Sequence, residues 1–251
     1  MVSTVTPTLR HWAGVISLLN AYADKVSSMK TEFTHRPSYT HLTVELDAGE
    51  SVVAEPGAMV GHSSNVAVET STSRDGLLSS AKSMLGGESM FANEFVAEGG
   101  PGTVTLAPST PGDVMEHELD DETLYTTDGA FLAATPGVDI DSELGGLKSV
   151  LGEASLTPLA LKGTGTAFID AYGGLERLDL DAGESYVLDN EHLVAWDDSV
   201  DFETRSVGSL KSAVLGGEGL VFEFTGPGTA WYQTRDLDAF VSVLQPRLPS
   251  N

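Results

Sequence analysis

The chain has 251 residues, of which 41% are hydrophobic and none is cysteine. It is long enough to bury a substantial core as one domain, and the lack of cysteine excludes disulfides, thiolate metal sites and cysteine nucleophiles. Against 37 acidic residues there are 13 basic ones, for a formal net charge of −24, which disfavours nucleic acids and anionic membranes as partners because both are recognised by Lys and Arg.

The charge predicts a halophilic protein with an acidic surface. At molar salt the Debye length falls to about 3 Å, so repulsion between surface charges is screened. Disorder would be the other interpretation of so high a charge, but 41% hydrophobic content and regular strand patterning argue for a folded chain. Individual acidic clusters therefore carry little information about function.

Residues 1–28 differ in pattern from everything that follows. The stretch from Leu9 to Val26 places apolar residues at roughly helical spacing. A cleaved secretory signal is disfavoured because Asn20 interrupts the apolar run and Arg10 alone supplies the positive region. No run approaches the eighteen or so apolar residues of a membrane span, so we expect a cytoplasmic protein. We interpret 1–28 as an N-terminal extension, either an amphipathic helix or a stretch upstream of a true start at Met29.

From Arg36 onward the pattern is that of short strands and turns. Residues 41–46 alternate apolar and polar side chains, 47–50 read as a turn, and 51–55 begin a second strand. This module returns at residues 180–185, and it returns with a shorter turn at residues 119–123.

A second motif occurs three times and sets the organisation of the chain. It consists of a Lys-Ser pair, one or two glycines followed by Glu, and a closing Gly-Thr pair. The closures are 63 residues apart (165 − 102 and 228 − 165), a regularity that indicates internal repeats. We interpret the motif as structural; its residues are Lys82, Gly86, Gly87, Glu88 and Gly102, then Lys148, Gly152, Glu153 and Gly165, then Lys211, Gly216, Gly217, Glu218 and Gly228.

These patterns predict an all-β fold. Alternating strands bury one face only, so three homologous repeats must pack around a common core with pseudo-three-fold symmetry. We expect a single domain over residues 29–248, with repeats at about 36–114, 115–177 and 178–235 and a short helical turn at each Lys-Ser pair. Asp236 is predicted to cap a C-terminal helix at 236–245, which Pro246 ends and which docks as a lid on the β core.

Three chemical patterns are better explained without catalysis. Ser79 and Lys82 match the Ser-x-x-Lys of penicillin-recognising enzymes, yet Gly145 and Gly208 replace the serine in the other repeats and no Ser-Asp-Asn follows. The glycine pairs could bind an anion, but a phosphate loop places its lysine after the glycines. The histidines lack metal-ligand spacing, although a metal site assembled from distant strands remains open; they are His11, His35, His41, His62, His117 and His192.

Three stretches carry a family resemblance: residues 36–39, residues 129–138, and residues 215–220 with 226–229. Together they resemble the uncharacterised family named for altered inheritance of mitochondria, number twenty-four, over about 29–248. The resemblance implies three β repeats in a fold similar to the tryptophan RNA-binding attenuation protein, related to a double-stranded β-helix. The family has no established activity, so the resemblance implies no catalytic residue.

We therefore predict a non-enzymatic binding or scaffolding protein of unknown ligand, without cofactor, metal or catalytic residues. Its partner is an unknown protein or a further copy of itself in a homo-oligomer, because exposed strand edges are often completed by a neighbour. One alternative is a metal-dependent or hydrolytic enzyme on a β-helix-like scaffold, which requires three His or carboxylate side chains in one pocket. Nucleic-acid binding is a second alternative, which requires a basic stripe on the folded surface.

Overall fold

The computed structural model describes residues 29–70, 92–141, 144, 156–206 and 220–248. The N-terminal extension and the Lys-Ser and Gly-Glu parts of the repeated motif, from Lys82 to Glu88, Lys148 to Glu153 and Lys211 to Glu218, lie outside these residues. Within them, the all-β prediction is confirmed: the chain is mainly β strand, with an α-helix near its C-terminus.

The strands are short except in the middle of the chain, where two of them run for 16 and 15 residues. Among the described residues, single-turn 3₁₀ helices lie at Asp128–Ala130, Asn190–His192 and Gln245–Arg247. In chain order the remaining elements are β1 (Lys30–Thr34), β2 (His41–Leu46), β3 (Ser51–Ala54), β4 (Met59–His62), β5 (Val66–Thr70), β6 (Asn93–Ala97), β7 (Gly102–Leu106), β8 (Gly112–Thr127), β9 (Phe131–Ala134), β10 (Val138–Asp141), β11 (Pro158–Tyr172), β12 (Leu175–Leu180), β13 (Ser185–Asp189), β14 (Leu193–Asp197), β15 (Asp201–Ser206), β16 (Leu220–Thr225), β17 (Gly228–Gln233) and α1 (Leu237–Leu244).

The described strands form three sheets. The first has the order β1-β2-β7-β4, and the third has the order β13-β16-β15. The large sheet between them has the order β12-β17-β14-β8-β11-β9-β3-β6-β5, with β10 added beside β11. In this arrangement β4 and β13 are each the last strand of a sheet.

Strand pairing follows a related scheme in three consecutive segments. In the first segment β2 and β4 both pair with β7, while β3 and β5 both pair with β6. In the last, β12 and β14 pair with β17, while β13 and β15 pair with β16. In the middle segment β8, β9 and β10 all pair with the long strand β11. All of these pairings are antiparallel.

The middle segment has long strands because a bulge replaces the turn found in the other two. The register of β8 against β11 shifts between Gly163 and Thr164, and Asp121 is left without a partner residue in the ladder, at φ 60°. In the first segment the corresponding turn is closed by the Asp47 N–H, which donates to Glu50 Oε2 at 2.8 Å. The shorter turn sequence of the middle copy therefore gives a bent but continuous strand.

Two junctions join the three segments, and both are buried. At the first, β3 pairs with β9 and Val53 lies opposite Ala134. At the second, β8 pairs with β14 and Tyr125 lies opposite Trp196. The rings of Tyr125 and Trp196 stack with centroids 5.4 Å apart, and Trp196 is 2% exposed. Aromatic packing of this kind adds to the stability gained from buried apolar area.

An ion pair ties the start of the described chain to β8. Arg36 donates from Nε to Asp113 Oδ1 at 2.8 Å and from Nη2 to Oδ2 at 3.0 Å. Thr40 Oγ1 donates to the same Oδ1 at 2.9 Å, and the Asp113 residue is buried. A bidentate guanidinium is a suitable partner for a carboxylate that has lost its water. Arg36, the first residue of the stretch 36–39 that carries part of the family resemblance, thus has a structural role.

The C-terminal helix forms where the sequence predicted it, but it does not cover the core. Asp236 caps α1 by accepting a hydrogen bond from the Ala239 N–H at 3.0 Å, and Pro246 follows the helix. No residue of α1 is buried. The Phe240 ring lies 6.2 Å from the Tyr172 ring and remains 47% exposed. The prediction that the helix acts as a lid is therefore wrong.

The closing glycines of the motif are needed because neighbouring side chains come very close. A Cβ on Gly102 would lie 2.6 Å from Val66 Cγ2, and one on Gly228 would lie 2.4 Å from Val200 Cγ2. Gly165 is similarly crowded, by Thr135 Oγ1 at 2.3 Å. Any side chain at these positions would have to displace a packed neighbour.

Replacing Gly102 with Ala should destabilise the protein by about 1–3 kcal/mol, because the added methyl group overlaps the buried, β-branched Val66. The free energy of unfolding, measured with denaturant at molar salt, tests this. Gly100→Ala is the matched control, since a Cβ there meets nothing within 4 Å. Equal stability of the two variants would show that the close approach has no energetic role.

Candidate functional site

A pair of carboxyl groups lies beside the first junction. Glu55 follows β3 directly, and its N–H donates to the Leu132 carbonyl of β9 at 2.9 Å. Since β9 also pairs with β11, the end of β3 is brought towards Asp170 on β11. Asp170 lies opposite the fully buried Val114 of β8, and paired residues of an antiparallel sheet project from the same face.

Asp170 is the buried member of the pair. The residue is 3% exposed, and no hydrogen-bond partner reaches its buried Oδ1. Burial, and then the nearby charge of Glu55, raise the pKa of Asp170 to about 8, against a smaller opposing effect of a hydrogen bond from its own backbone. At neutral pH the side chain therefore holds its proton, which avoids a buried, unpaired negative charge.

Glu55 is the more accessible member of the pair. It is half-buried, and burial raises its pKa to about 7. Two neighbouring carboxyl groups with raised pKa values can store and transfer protons. A substrate cannot contact Asp170 at 3% exposure, so this arrangement suits a buried proton-binding pair better than a general acid that touches substrate.

The polar groups beside the second junction, in contrast, form hydrogen bonds with backbone groups. Gln233 on β17 accepts from the Tyr172 N–H at 2.9 Å and donates to the Glu191 carbonyl at 2.9 Å. Nδ1 of His192 lies 2.6 Å from the Gln233 carbonyl oxygen. An amide can donate and accept at once, so it satisfies this position without a change in protonation.

Glu191 belongs to a second group of acidic residues, next to α1. Its pKa is raised, chiefly by burial and then by the charges of Asp238 and Asp236. Asp236 also caps the helix. The N-terminal end of α1 therefore lies close to several negative charges. The free backbone N–H groups at the start of a helix favour negative charge there.

The histidines of the described chain do not form a metal site. Within residues 29–70, 92–141, 156–206 and 220–248, no group of three or more His, Asp or Glu side chains is arranged to hold a metal ion. His117 instead packs edge-on against Trp231, with ring centroids 5.4 Å apart, and lies 3.4 Å from a carboxylate oxygen of Glu122. The His35 and His41 rings also pack edge-on, with centroids 5.4 Å apart.

Of the predicted motif residues, the structure describes only the closing glycines Gly102, Gly165 and Gly228, and each of them contacts nearby side chains. Sequence reasoning did not identify the Glu55–Asp170 pair. A signal was present, because Asp170 separates the apolar residues Ala167-Phe168-Ile169 from Ala171 within a buried stretch of β11. The partner, Glu55, is distant in sequence and carries no such signal.

Exposed apolar side chains are concentrated on α1 and on β4 and β13, each of which is the last strand of a sheet. On β4, Met59 and Val60 are 43% and 55% exposed; on β13, Tyr186 and Val187 are 42% and 54% exposed. Exposed apolar side chains of this kind can mark interaction sites. The exposed apolar side chains of α1 are Leu237, Phe240, Val241, Val243 and Leu244.

No helix in the described part of the chain is both long and apolar enough to cross a lipid bilayer.

The carboxyl pair should make the protein less stable as pH rises. Asp170 has a pKa of about 8 in the folded state and 3.8 as a free side chain, so between these values the folded state binds more protons than the unfolded state. Stability falls across that window by at most about 1.4 kcal/mol per pH unit for each group. Asp170→Asn should flatten the dependence, measured as the free energy of unfolding from about pH 4 to 9.

Asp198→Asn removes one charge at an exposed position and serves as the control, for which the slope should stay as in the unmodified protein. Glu55→Gln should shift the titration of Asp170 to lower pH, because it removes the nearby negative charge. If Asp170→Asn and Asp198→Asn have the same slope, the folded protein does not hold a proton on Asp170.

Comparisons with known proteins place the chain in a family. A profile of the family described as mitochondrial biogenesis AIM24 matches residues 31–235. An uncharacterised protein of Streptococcus pyogenes serotype M6 is 30% identical over 216 residues, covering 83% of this chain and 86% of that protein. A crystal structure of a protein from Streptococcus pyogenes superposes with a TM-score of 0.73 at 30% identity, covering 88% of this chain and all of that one. The chain therefore belongs to the AIM24 family.

Proposed function

We propose that this AIM24-family chain is a non-enzymatic binding or scaffolding protein of the cytoplasm, which binds a protein partner through its C-terminal helix. The observation that supports this most directly is the apolar face of α1. Leu237, Phe240, Val241 and Leu244 are 38–48% exposed, and no residue of the helix is buried. A folded domain that keeps such a face in water has a surface suited to a partner.

The spacing of these residues fits insertion of the helix into an apolar groove of another protein. Positions 237, 240, 241 and 244 follow the i, i+3, i+4, i+7 pattern, so they form one stripe along the helix. The helix is held at its start by the Asp236 cap and lies against Tyr172 at Phe240. The stripe is thus presented in a defined orientation.

The β framework that presents the helix is, in this proposal, made of three homologous repeats with pseudo-three-fold symmetry, as in the TRAP-like fold. The recurring pairing scheme of the three segments supports this. The closing glycines support it too. A Cβ added to Gly102, Gly165 or Gly228 would lie within 3.2 Å of a valine side chain, and in each case that valine lies at or next to the start of a strand: β5, β10 and β15 respectively. Three copies of one unit would offer three related surfaces to partners.

Two charges on the apolar stripe should abolish partner binding. In a Val241→Asp, Leu244→Asp variant the carboxylates would have to be desolvated in the groove of the partner, which is strongly unfavourable. The partner would be captured from the native host at molar salt, and the mass of the complex read by native mass spectrometry. The unmodified chain should give one defined protein complex above 26.4 kDa, and the variant should not.

Ser242→Asp is the matched control, because it adds a charge to the same helix outside the stripe and should leave the complex intact. Circular dichroism verifies that each variant is folded. A stoichiometric metal or small molecule in place of a protein partner would overturn the proposal, as would a complex that forms equally well with the charged stripe.

The metal-dependent or hydrolytic alternative gains one observation, the raised pKa values of Glu55 and Asp170. Such values are common in active sites. Asp170 is nevertheless 3% exposed, so a reacting group cannot reach it without a conformational change. The exposed helix therefore supports binding more strongly than the carboxyl pair supports catalysis.

A further inference from the structure

We propose that β13 of one copy of this chain pairs with β4 of a second copy as antiparallel strands, with Val187 opposite His62. This inference rests on the recurring strand-pairing scheme of the three segments and not on closure of one chain around a three-fold axis, and it identifies the partner of β13 and β4. It concerns a different surface from α1, so the two proposals can fail separately.

The register follows from the two junctions already formed within the chain. At the first, the third residue of β3, Val53, lies opposite the fourth residue of β9, Ala134. At the second, Tyr125 lies opposite the fourth residue of β14, Trp196. The strands equivalent to β3 and β9 that have no such partner are β13 and β4. Their third and fourth residues are Val187 and His62.

The backbone of β13 is correctly oriented for this pairing. Glu184, just before β13, accepts a hydrogen bond from the Gly226 N–H across the β13–β16 ladder at 3.0 Å, and hydrogen-bonded and non-hydrogen-bonded positions alternate along antiparallel strands. Val187, opposite Glu223, is three residues further on and therefore at a non-hydrogen-bonded position. Its N–H and C=O point away from β16, towards the unpaired edge.

The backbone of β4 has the matching orientation. The Ser63 N–H donates to the Thr103 carbonyl at 2.9 Å, across the ladder with β7. His62 lies opposite Val104, one residue earlier, so it occupies a non-hydrogen-bonded position and points its N–H and C=O away from β7. Val187 and His62 can therefore exchange two backbone hydrogen bonds when their strands meet.

Burial differs between the formed junctions and the unpaired strands as this pairing requires. All four residues of β9 and the first four of β14 are buried, whereas three of the four residues of β4 are exposed. On β13, Tyr186 and Val187 are exposed, while the residue of β3 that corresponds to Tyr186, Val52, is 0% exposed. Apolar side chains at a strand edge favour pairing with another strand.

A second copy is the partner that fits. Both strands belong to the same compact unit, residues 31–251, each is the last strand of its sheet, and no described strand of the same chain pairs with either edge. Each copy offers one β4 edge and one β13 edge. Two copies can satisfy both reciprocally in a closed dimer, and head-to-tail pairing of more copies gives a ring.

Disulfide cross-linking tests the register directly, because the natural chain has no cysteine. One chain would carry Val187→Cys and another His62→Cys; both positions are exposed, so the unpaired strands should tolerate them. Hydrogen-bonded partners in antiparallel strands have Cα atoms about 5.5 Å apart, within the range that a disulfide spans. After oxidation at molar salt, the equimolar mixture should give a reducible band at about twice 26.4 kDa.

The control pairs Val187→Cys with Val60→Cys, an exposed residue two positions along β4. Its Cα would lie about 7–8 Å from that of residue 187, which is outside the disulfide range, so this mixture should cross-link far less. A chain carrying both Val187→Cys and His62→Cys that loses its thiols as a monomer would overturn the second-copy inference, because the edges would then pair within one chain. Absence of any cross-link, or equal cross-linking in the control, would overturn it too.

Val187→Pro provides a measurement that does not depend on oxidation. Proline removes an N–H that faces the edge and leaves the β13–β16 ladder intact, so the fold should persist by circular dichroism while the mass in light scattering falls to that of one chain. An unchanged mass would contradict the inference. If self-association is lost while the α1-dependent complex persists, the edges and the helix are separate sites; a helix without a partner leaves the edge result unaffected.

Discussion

Antiparallel pairing between strands of different segments is the interaction on which this structure depends. Strands of all three segments meet in the large sheet, where each segment pairs with a strand of its neighbour. The two junctions made in this way bury β9 and most of β14, and they place Trp196 against Tyr125. The same dependence explains why the strands at the two ends of the series expose apolar residues.

The two junctions are not chemically equivalent. The second is flanked by an amide, Gln233, which accepts one hydrogen bond from a backbone N–H and donates one to a backbone carbonyl. The first is flanked by Asp170, whose buried oxygen has no partner. The segments share their strand pairing, but the side chains that flank the two junctions differ. An acid that holds its proton at neutral pH makes the first junction the one that responds to alkaline conditions.

The sequence was informative about the fold and poor about the site. Alternation in residues 41–46 and the helix cap at Asp236 are local patterns, and both were predicted correctly. Glu55 and Asp170 come together only because β3, β9 and β11 are neighbours in one sheet, which no local pattern records. Docking of α1 was mispredicted for a related reason: an apolar stripe shows that a helix can be buried, but it does not show whether its own chain supplies the surface.

The bulge at Asp121 has a mechanical consequence. Because it keeps β8 continuous, β8 and β11 form one ladder from Gly112 to Thr127, and both junctions attach to that ladder, one through β9 and the other through β14. The outer segments, which are divided by true turns, have no equivalent ribbon. A displacement of either outer segment therefore has a path of paired strands through the middle segment to the far junction.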